Sequence, residues 1–133
     1  MQSKKPIYKK AFEPIDTYEE STWMGNDTPF METEYTGVFR DKYPCTPGHT
    51  LFIPKKNTPE YVGQSYGLAY EYGNNKGKEG NMMGFNVGMN IGLCAGQTIM
   101  WPHIHFIPRH EGDSEHHGGM RYAHPSADHN HYY

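Results

Sequence analysis

The sequence predicts an α+β domain, with a mostly antiparallel sheet and one main helix packed on it. Three observations carry this prediction. The chain has 133 residues, which suits one domain with a core of its own and would leave two domains short of one. Several short runs alternate apolar and polar side chains, the period of a half-buried strand. One longer run carries the signals that begin a helix.

Two neighbouring strands are predicted before the helix. The first runs from Glu32 to Arg40 within METEYTGVFR, and the second is HTLFIP, residues 49–54. The segment between them, DKYPCTPG, is rich in residues that favour turns. Pro54 ends the second run because proline cannot donate to a strand ladder. The two strands are therefore predicted to form an antiparallel, hairpin-like pair.

The helix is predicted over residues 58–72. Thr58 is a candidate N-cap, Pro59 stands at the first helical position, and Glu60 lies in the first turn. The following GNNKGKEGN, residues 73–81, is predicted to be a loop because glycine and asparagine dominate it. After it, MMGFNVGMNIG alternates apolar residues with asparagine and glycine and predicts a third strand.

A further strand is predicted over residues 99–107, within TIMWPHIHF. On a strand, Trp101, His103 and His105 share one face, and the apolar residues between them pack behind. Two imidazoles side by side are typical of a functional site, although a half-exposed strand with solvated histidines fits the same pattern.

Composition narrows the classes of function. The formal net charge is −3, which gives no reason to expect a surface for nucleic acid. Cys45 and Cys94 lie far apart without a C-x-x-C motif, so both are predicted to be reduced thiols. No run reaches membrane-spanning length, and the basic N-terminus is not followed by the apolar core of a signal peptide. We therefore expect a small-molecule partner, no membrane partner and a cytoplasmic location.

The chain is predicted to have three parts. Residues 1–30 mix polar residues, Pro and Gly with little periodicity and predict an irregular segment that wraps the domain. Residues 31–121 form the domain, and residues 122–133 form a polar, His-rich tail. The histidines near this end are predicted to be solvated: His116, His117, His124, His129 and His131.

Three segments together resemble the histidine triad (HIT) family of nucleotide hydrolases and transferases. They are PGHTLFIPKK at 47–56, GFNVGMNIGLCAGQTIMWPHIHFIPR at 84–109, and GDSEHHGGMR at 112–121. The family signature alternates three histidines with apolar residues; His103 and His105 match its second and third positions, and Trp101 stands at the first. The resemblance implies an α+β, HIT-like fold with about five strands, and a homodimer formed through the helix and an adjoining strand.

The resemblance also implies a catalytic group of three histidines. His103 is implied as the nucleophile that carries the nucleotidyl group, held by a backbone carbonyl at the Trp101 position. His105 faces the phosphate, and His49 is the upstream histidine that tunes the tautomer and charge of the nucleophile.

Substrate-binding positions follow from the same resemblance. They comprise a ribose-binding carboxylate, an amide beside the phosphate or ribose, a phosphate-binding turn and the first triad position: Asp41, Asn90, Gly96, Gln97, Thr98 and Trp101. Three apolar side chains are expected to flank the base: Phe39, Phe52 and Ile53.

The predicted function is therefore a nucleotide-binding hydrolase or nucleotidyl transferase that acts on a nucleoside phosphoanhydride or phosphoramidate, with no metal or other cofactor. Two alternatives stay open. A nucleotide sensor would keep the pocket without turnover, and the observation behind this alternative is Trp101 in place of the first triad histidine. A metal-binding β-barrel would use His103 and His105 with Glu111, although Glu111 lies beyond Pro108 and no second half-motif follows.

Overall fold

The computed structural model of the chain describes residues 11–21, 28–80, 82–114 and 119–127. Its strands are β1 (Met31–Glu32), β2 (Thr36–Arg40), β3 (Thr50–Pro54), β4 (Gly84–Gly88) and β5 (Ile104–Arg109). Helix α1 spans Pro59–Lys78, and short 3-10 helices span Tyr18–Glu20, Leu93–Ala95 and Gly119–Ala123.

The five strands form one sheet in the order β1-β2-β3-β5-β4. Every neighbouring pair is antiparallel, which confirms the predicted α+β fold with one main helix. Strands β2 and β3 pair from Thr36 opposite Pro54 to Arg40 opposite Thr50, which confirms the predicted strand pair. In β5, His105 pairs with Leu51 on one side and Gly88 on the other, so it lies inside the sheet and not at its edge.

Helix α1 begins as predicted and ends later than predicted. The Thr58 side chain accepts a hydrogen bond from the Tyr61 N–H, and Pro59 occupies the first turn. The predicted loop at 73–81 is wrong over its first part, since the helix continues to Lys78. The reason is tertiary packing: Gly73 is buried against the Phe85 ring, where any side chain would overlap that ring. Contact with β4 therefore outweighs the weak helix propensity of this stretch.

The sheet buries apolar side chains on both faces. Helix α1 covers one face, whose buried cluster contains Val38, Phe52, Ala69, Met82, Ile104 and Phe106. The opposite face carries a second cluster: Ile15, Tyr18, Phe39, Leu51, Ile53, Ile99 and Trp101. Because paired residues of neighbouring strands point to the same side, His105 lies on the face of this second cluster.

The described part of the N-terminal segment packs on that second face. The Phe12 N–H donates to the Thr98 carbonyl at 2.7 Å, and Pro14 forms a parallel bridge with Met100. Ile15 and Tyr18 are buried there. Residues 1–10 and 22–27 of the predicted segment lie outside the described residues.

The histidine strand starts later than predicted. Strand β5 begins at Ile104, so the prediction that His103 lies on the strand is wrong. Pro102 explains the difference, because it has no N–H to donate to the ladder. The chain at 101–103 is nevertheless buried against the sheet.

Three remaining sequence predictions concern the thiols, the membrane and the tail. Cys45 and Cys94 are exposed and carry free thiols. Over the described ranges, no helix combines the length and hydrophobicity needed to cross a bilayer. His124 is exposed, whereas His116, His117, His129 and His131 lie outside the described residues.

Candidate functional site

His103 has one ring nitrogen fixed by the backbone. Its Nδ1 lies 2.8 Å from the carbonyl oxygen of Trp101. A carbonyl only accepts hydrogen bonds, so Nδ1 carries the proton and, in the neutral ring, Nε2 carries the lone pair. His103 is 6 % exposed, so the ring is held mainly by the protein. This is the tautomer that an imidazole needs in order to attack through Nε2.

Trp101 contributes to this arrangement through its backbone. Its indole ring is buried in the second apolar cluster, and its Nε1–H donates to the carbonyl of Pro54 at 2.9 Å. The ring thus anchors the chain just before His103 to the end of β3. The residue at the first triad position supplies a carbonyl, which any residue type provides.

His49 and His105 form a second hydrogen-bonded unit. The Cys45 N–H donates to His49 Nδ1 at 3.2 Å, so the His49 proton is on Nε2. That Nε2 lies 2.9 Å from His105 Nδ1, which must then accept. The neutral His105 ring therefore carries its own proton on Nε2. The Cys45 N–H thus fixes the tautomer of His49, and His49 in turn fixes the tautomer of His105. The Nε2–H of His105 is then the donor that this ring offers to a group outside the pair.

Asp41 supports His49. One carboxylate oxygen lies 3.4 Å from His49 Nε2, and the side chain is only 6 % exposed. The other oxygen accepts the Tyr43 N–H at 2.8 Å. The Asp41 N–H also donates to the His49 carbonyl, which fixes the turn between β2 and β3. The carboxylate predicted to bind ribose is thus placed directly beside the upstream histidine.

The three imidazoles lie close together in a buried setting. The ring centroid of His105 is 5.1 Å from that of His49 and 5.2 Å from that of His103. Burial lowers the pKa of His49 and of His103 below 6.5. Burial, followed by the neighbouring His103 and His49, lowers the pKa of His105 to about 4. All three rings are therefore neutral at pH 7, as a nucleophilic imidazole must be.

The turn predicted to bind phosphate is shaped by its own contacts. Gly96 has φ +91°, a backbone conformation that favours glycine. The Gln97 side chain accepts the Gly92 N–H and donates to the Ile99 carbonyl, each at 2.9 Å. The Thr98 carbonyl accepts the Phe12 N–H.

Asn90 follows β4 and is exposed. It stands just beyond Gly88, the residue that pairs with His105 across the sheet. The end of β4 therefore lies beside His105, two positions before Asn90 in the chain.

The residues expected to flank a base are enclosed in the core. Phe39 is 1 % exposed, and Phe52 and Ile53 are fully buried. Phe52 also faces α1, on the other side of the sheet from His105. The expectation that these three flank a base is therefore wrong. Alternation correctly separates the two faces, but it does not reveal that Ile15, Tyr18 and Trp101 cover one of them.

Among the described residues, one group of side chains brings at least three potential metal-ligand atoms within 4.8 Å of one another, and it comprises Asp41, His49 and His105. The alternative set of His103, His105 and Glu111 does not converge in this way, and Glu111 is exposed. Sequence reasoning missed the Cys45 N–H, which fixes the His49 tautomer. No sequence signal identifies it, because every residue type except proline offers a backbone N–H.

The family model for the HIT domain matches residues 25–112. The chain belongs to the HIT family. An uncharacterised HIT-like protein of Methanocaldococcus jannaschii is 32 % identical over 90 residues, which cover 63 % of this chain and 70 % of that protein. The asymmetrical bis(5'-nucleosyl)-tetraphosphatase of Schizosaccharomyces pombe is 29 % identical over 91 residues, which cover 63 % of this chain and 50 % of that protein.

Solved structures of HIT proteins share the fold. A zinc-bound histidine triad family protein of Mycobacterium smegmatis matches with a TM-score of 0.58 and 32 % identity, covering 63 % of this chain and 66 % of that one. The open five-stranded antiparallel sheet with one main helix is thus the HIT fold. The matched region spans 50 % to 70 % of the length of the two curated relatives described above.

Proposed function

We propose that this HIT protein is a nucleotide hydrolase or nucleotidyl transferase that uses His103 as a covalent nucleophile. Its substrate is a nucleoside phosphoanhydride or phosphoramidate. The HIT family includes nucleotide hydrolases, such as the Schizosaccharomyces pombe tetraphosphatase named above. The observation that carries the proposal is the hydrogen bond from His103 Nδ1 to the Trp101 carbonyl, because it leaves the lone pair on Nε2.

The first chemical step forms the nucleotidyl-histidine. His103 Nε2 attacks phosphorus, and the bond from phosphorus to the leaving oxygen or nitrogen breaks with its electron pair on the leaving group. A phosphate oxygen leaves as an anion, whereas a leaving nitrogen takes a proton from solvent as the bond breaks. The ring becomes positively charged, and the Trp101 carbonyl that accepts its Nδ1–H stabilises this charge. The Nε2–H of His105 donates to a phosphoryl oxygen as negative charge develops there.

The second step regenerates the enzyme. Water, or another acceptor hydroxyl in a transferase, attacks phosphorus, and the bond to His103 Nε2 breaks with its electron pair returned to the ring. The attacking oxygen loses its proton to solvent. Division of one difficult displacement into two easier ones is the advantage of a covalent intermediate.

His49 and Asp41 position His105 in this scheme. His49 donates to His105 Nδ1 and so keeps the His105 proton on Nε2, toward the phosphate. The Asp41 carboxylate beside His49 favours the ring orientation that makes this bond. We assign the substrate contacts to Asp41, to Asn90 and to the turn at residues 96–98.

A substrate screen tests the activity. The purified chain is incubated with nucleoside phosphoramidates, diadenosine polyphosphates and nucleotide sugars, and released nucleotide is measured. Turnover of at least one class is expected. Nucleotide binding without turnover of any class would contradict the proposal and favour a nucleotide sensor instead.

We also propose a homodimer through α1 and the edge strand β4, and a cytosolic location. Strand β4 has an unpaired edge in the described sheet, and its residues are only half-buried. The free thiols of Cys45 and Cys94 suit a reducing compartment. Sedimentation equilibrium tests the dimer: a mass of twice 15.3 kDa is expected, and a monomer at high concentration would rule the dimer out.

A further inference from the structure

Three side chains with metal-binding atoms converge beside His103. Asp41 follows β2, His49 precedes β3, and His105 lies within β5. Their ligand atoms all lie within 4.8 Å of one another. The group therefore joins the two ends of the β2–β3 connection to strand β5, whose His105 lies 56 positions beyond His49 in the chain.

The chemistry of this group suits a transition metal. Two imidazole nitrogens and one carboxylate oxygen are ligands that Zn²⁺ takes in sites with three protein ligands and an open fourth position. The Asp41 side chain is almost enclosed, at 6 % exposure. Within the described part of the chain, no Lys or Arg forms an ion pair with it. A buried carboxylate that faces imidazoles favours a bound cation.

We propose that Asp41, His49 and His105 bind one Zn²⁺ ion, or another transition metal of similar ligand preference. Two ligand atoms at the corners of a zinc tetrahedron lie about 3.3 Å apart, given bonds of about 2.0–2.1 Å. The oxygen of Asp41 and Nε2 of His49 are already 3.4 Å apart. Nε2 of His49 and Nδ1 of His105 are 2.9 Å apart, so this pair separates by a few tenths of an ångström.

Metal binding replaces one hydrogen bond and moves one proton. The His49 proton passes from Nε2 to Nδ1, so the ring keeps one proton and its Nε2 lone pair binds the ion. The Cys45 N–H and the new His49 Nδ1–H are then two donors only 3.2 Å apart, so the exposed Cys45 must move away and water must accept from both groups. His105 keeps the proton on Nε2 and binds through Nδ1. The ion and the His49 to His105 hydrogen bond therefore exclude each other.

The test measures binding of Zn²⁺ and Co²⁺ alone to the full chain. Histidines near the C-terminus would bind metal adventitiously, so all variants are made in a background where five of them are Gln: His116, His117, His124, His129 and His131. Chelator competition gives the zinc affinity, and the visible spectrum of Co²⁺ reports a tetrahedral site. We expect this background to bind one equivalent.

Variants at the three ligands separate this site from any other. Asp41→Asn, His49→Gln and His105→Gln are each expected to weaken zinc binding at least tenfold. Cys45→Ser and His110→Gln serve as matched controls and are expected to leave it unchanged, since these residues lie outside the ligand group. Unchanged affinity in all three ligand variants, or loss of binding in the five-Gln background, would overturn the proposal.

Nuclear magnetic resonance on the unmodified site keeps the test decisive if a ligand variant fails to fold. Zinc is expected to shift the ring nitrogen resonances of His49 and His105 and not those of His110; shifts only outside this pair would overturn the proposal. No nucleotide enters these measurements. Their failure would leave nucleotidyl transfer standing, and failure of nucleotidyl transfer would leave the metal site standing.

Discussion

The backbone carbonyl of Trp101 accepts a hydrogen bond from His103 Nδ1 at 2.8 Å, while the indole ring of Trp101 points into the core. The same residue therefore serves the site through its main chain and the fold through its side chain. Substitution of the indole ring is therefore expected to change the free energy of unfolding far more than the rate of nucleotidyl transfer.

Trp101→Phe separates these two contributions. The variant keeps the carbonyl but loses the Nε1–H that bonds to Pro54, so the free energy of unfolding is expected to fall by about 1–3 kcal/mol. The rate of nucleotidyl-His103 formation is expected to stay within a few-fold of wild type. Trp101→His is expected to behave alike. Urea unfolding measures the free energy of unfolding, and quenched-flow mass measurement gives the rate of adduct formation. A hundredfold loss of rate with an unchanged free energy of unfolding would show that the ring itself acts on substrate.

Acid is expected to destabilise the protein through His105. Its folded-state pKa is about 4, below the ordinary 6.5, so between these values the unfolded chain binds a proton that the folded chain does not. The free energy of unfolding should therefore fall as the pH is lowered from about 6.5 to about 4. His105→Gln is expected to reduce this slope, because it removes the titrating ring. Chemical unfolding at a series of pH values measures it, and an equal slope in both proteins would contradict the assignment.

Burial of His103 also determines how the rate of adduct formation depends on pH below neutrality. Because the pKa of His103 is lowered below 6.5, the ring stays neutral and nucleophilic through pH 6.5. A rate profile for adduct formation that already declines above pH 6.5 would be incompatible with this assignment.

Gly37 is expected to be required for the packing of Tyr18. A methyl group at position 37 would overlap Tyr18 Oη, so Gly37→Ala is expected to lower the free energy of unfolding by about 1–3 kcal/mol. Gly63 in α1 has open space around it, and Gly63→Ala is the matched control, expected to raise stability by about 0.5–1 kcal/mol.

Tyr18→Phe tests the same contact from the other side. Tyr18 Oη is buried and has no hydrogen-bond partner among the described residues, so its removal is expected to cost little. The double variant with Gly37→Ala should recover part of the lost stability, as thermal unfolding would show. Additive effects of the two changes would contradict a direct contact.

Sequence patterns predicted the elements whose signals are local. Thr58 and Pro59 mark the start of α1 because capping depends on adjacent residues. The end of α1 was not predictable, since it depends on the contact of Gly73 with Phe85. Pro102 did carry a local signal for a late start of β5, but the regular alternation around it suggested a longer strand.

The side chains that converge at the candidate site could be named from the sequence, while their role in binding or catalysis stays a prediction. The histidines were recognisable from motif spacing, and the structure brings His49, His103 and His105 together. Their tautomers were not, because backbone groups of Cys45 and Trp101 fix them. The burial of Phe39 by Ile15 and Tyr18 was also not predictable, since the N-terminal segment that carries them has no periodicity of its own.

Intact-mass measurement of the reacting protein tests the role of His103 most directly. Wild-type chain mixed with a nucleoside phosphoramidate and quenched within milliseconds is expected to gain the mass of one nucleotidyl group, and peptide mapping should locate it on His103. His103→Ala should show neither the adduct nor turnover, whereas the exposed His110→Ala should show both. Wild-type turnover by His103→Ala, or an adduct on another residue, would contradict covalent catalysis by His103.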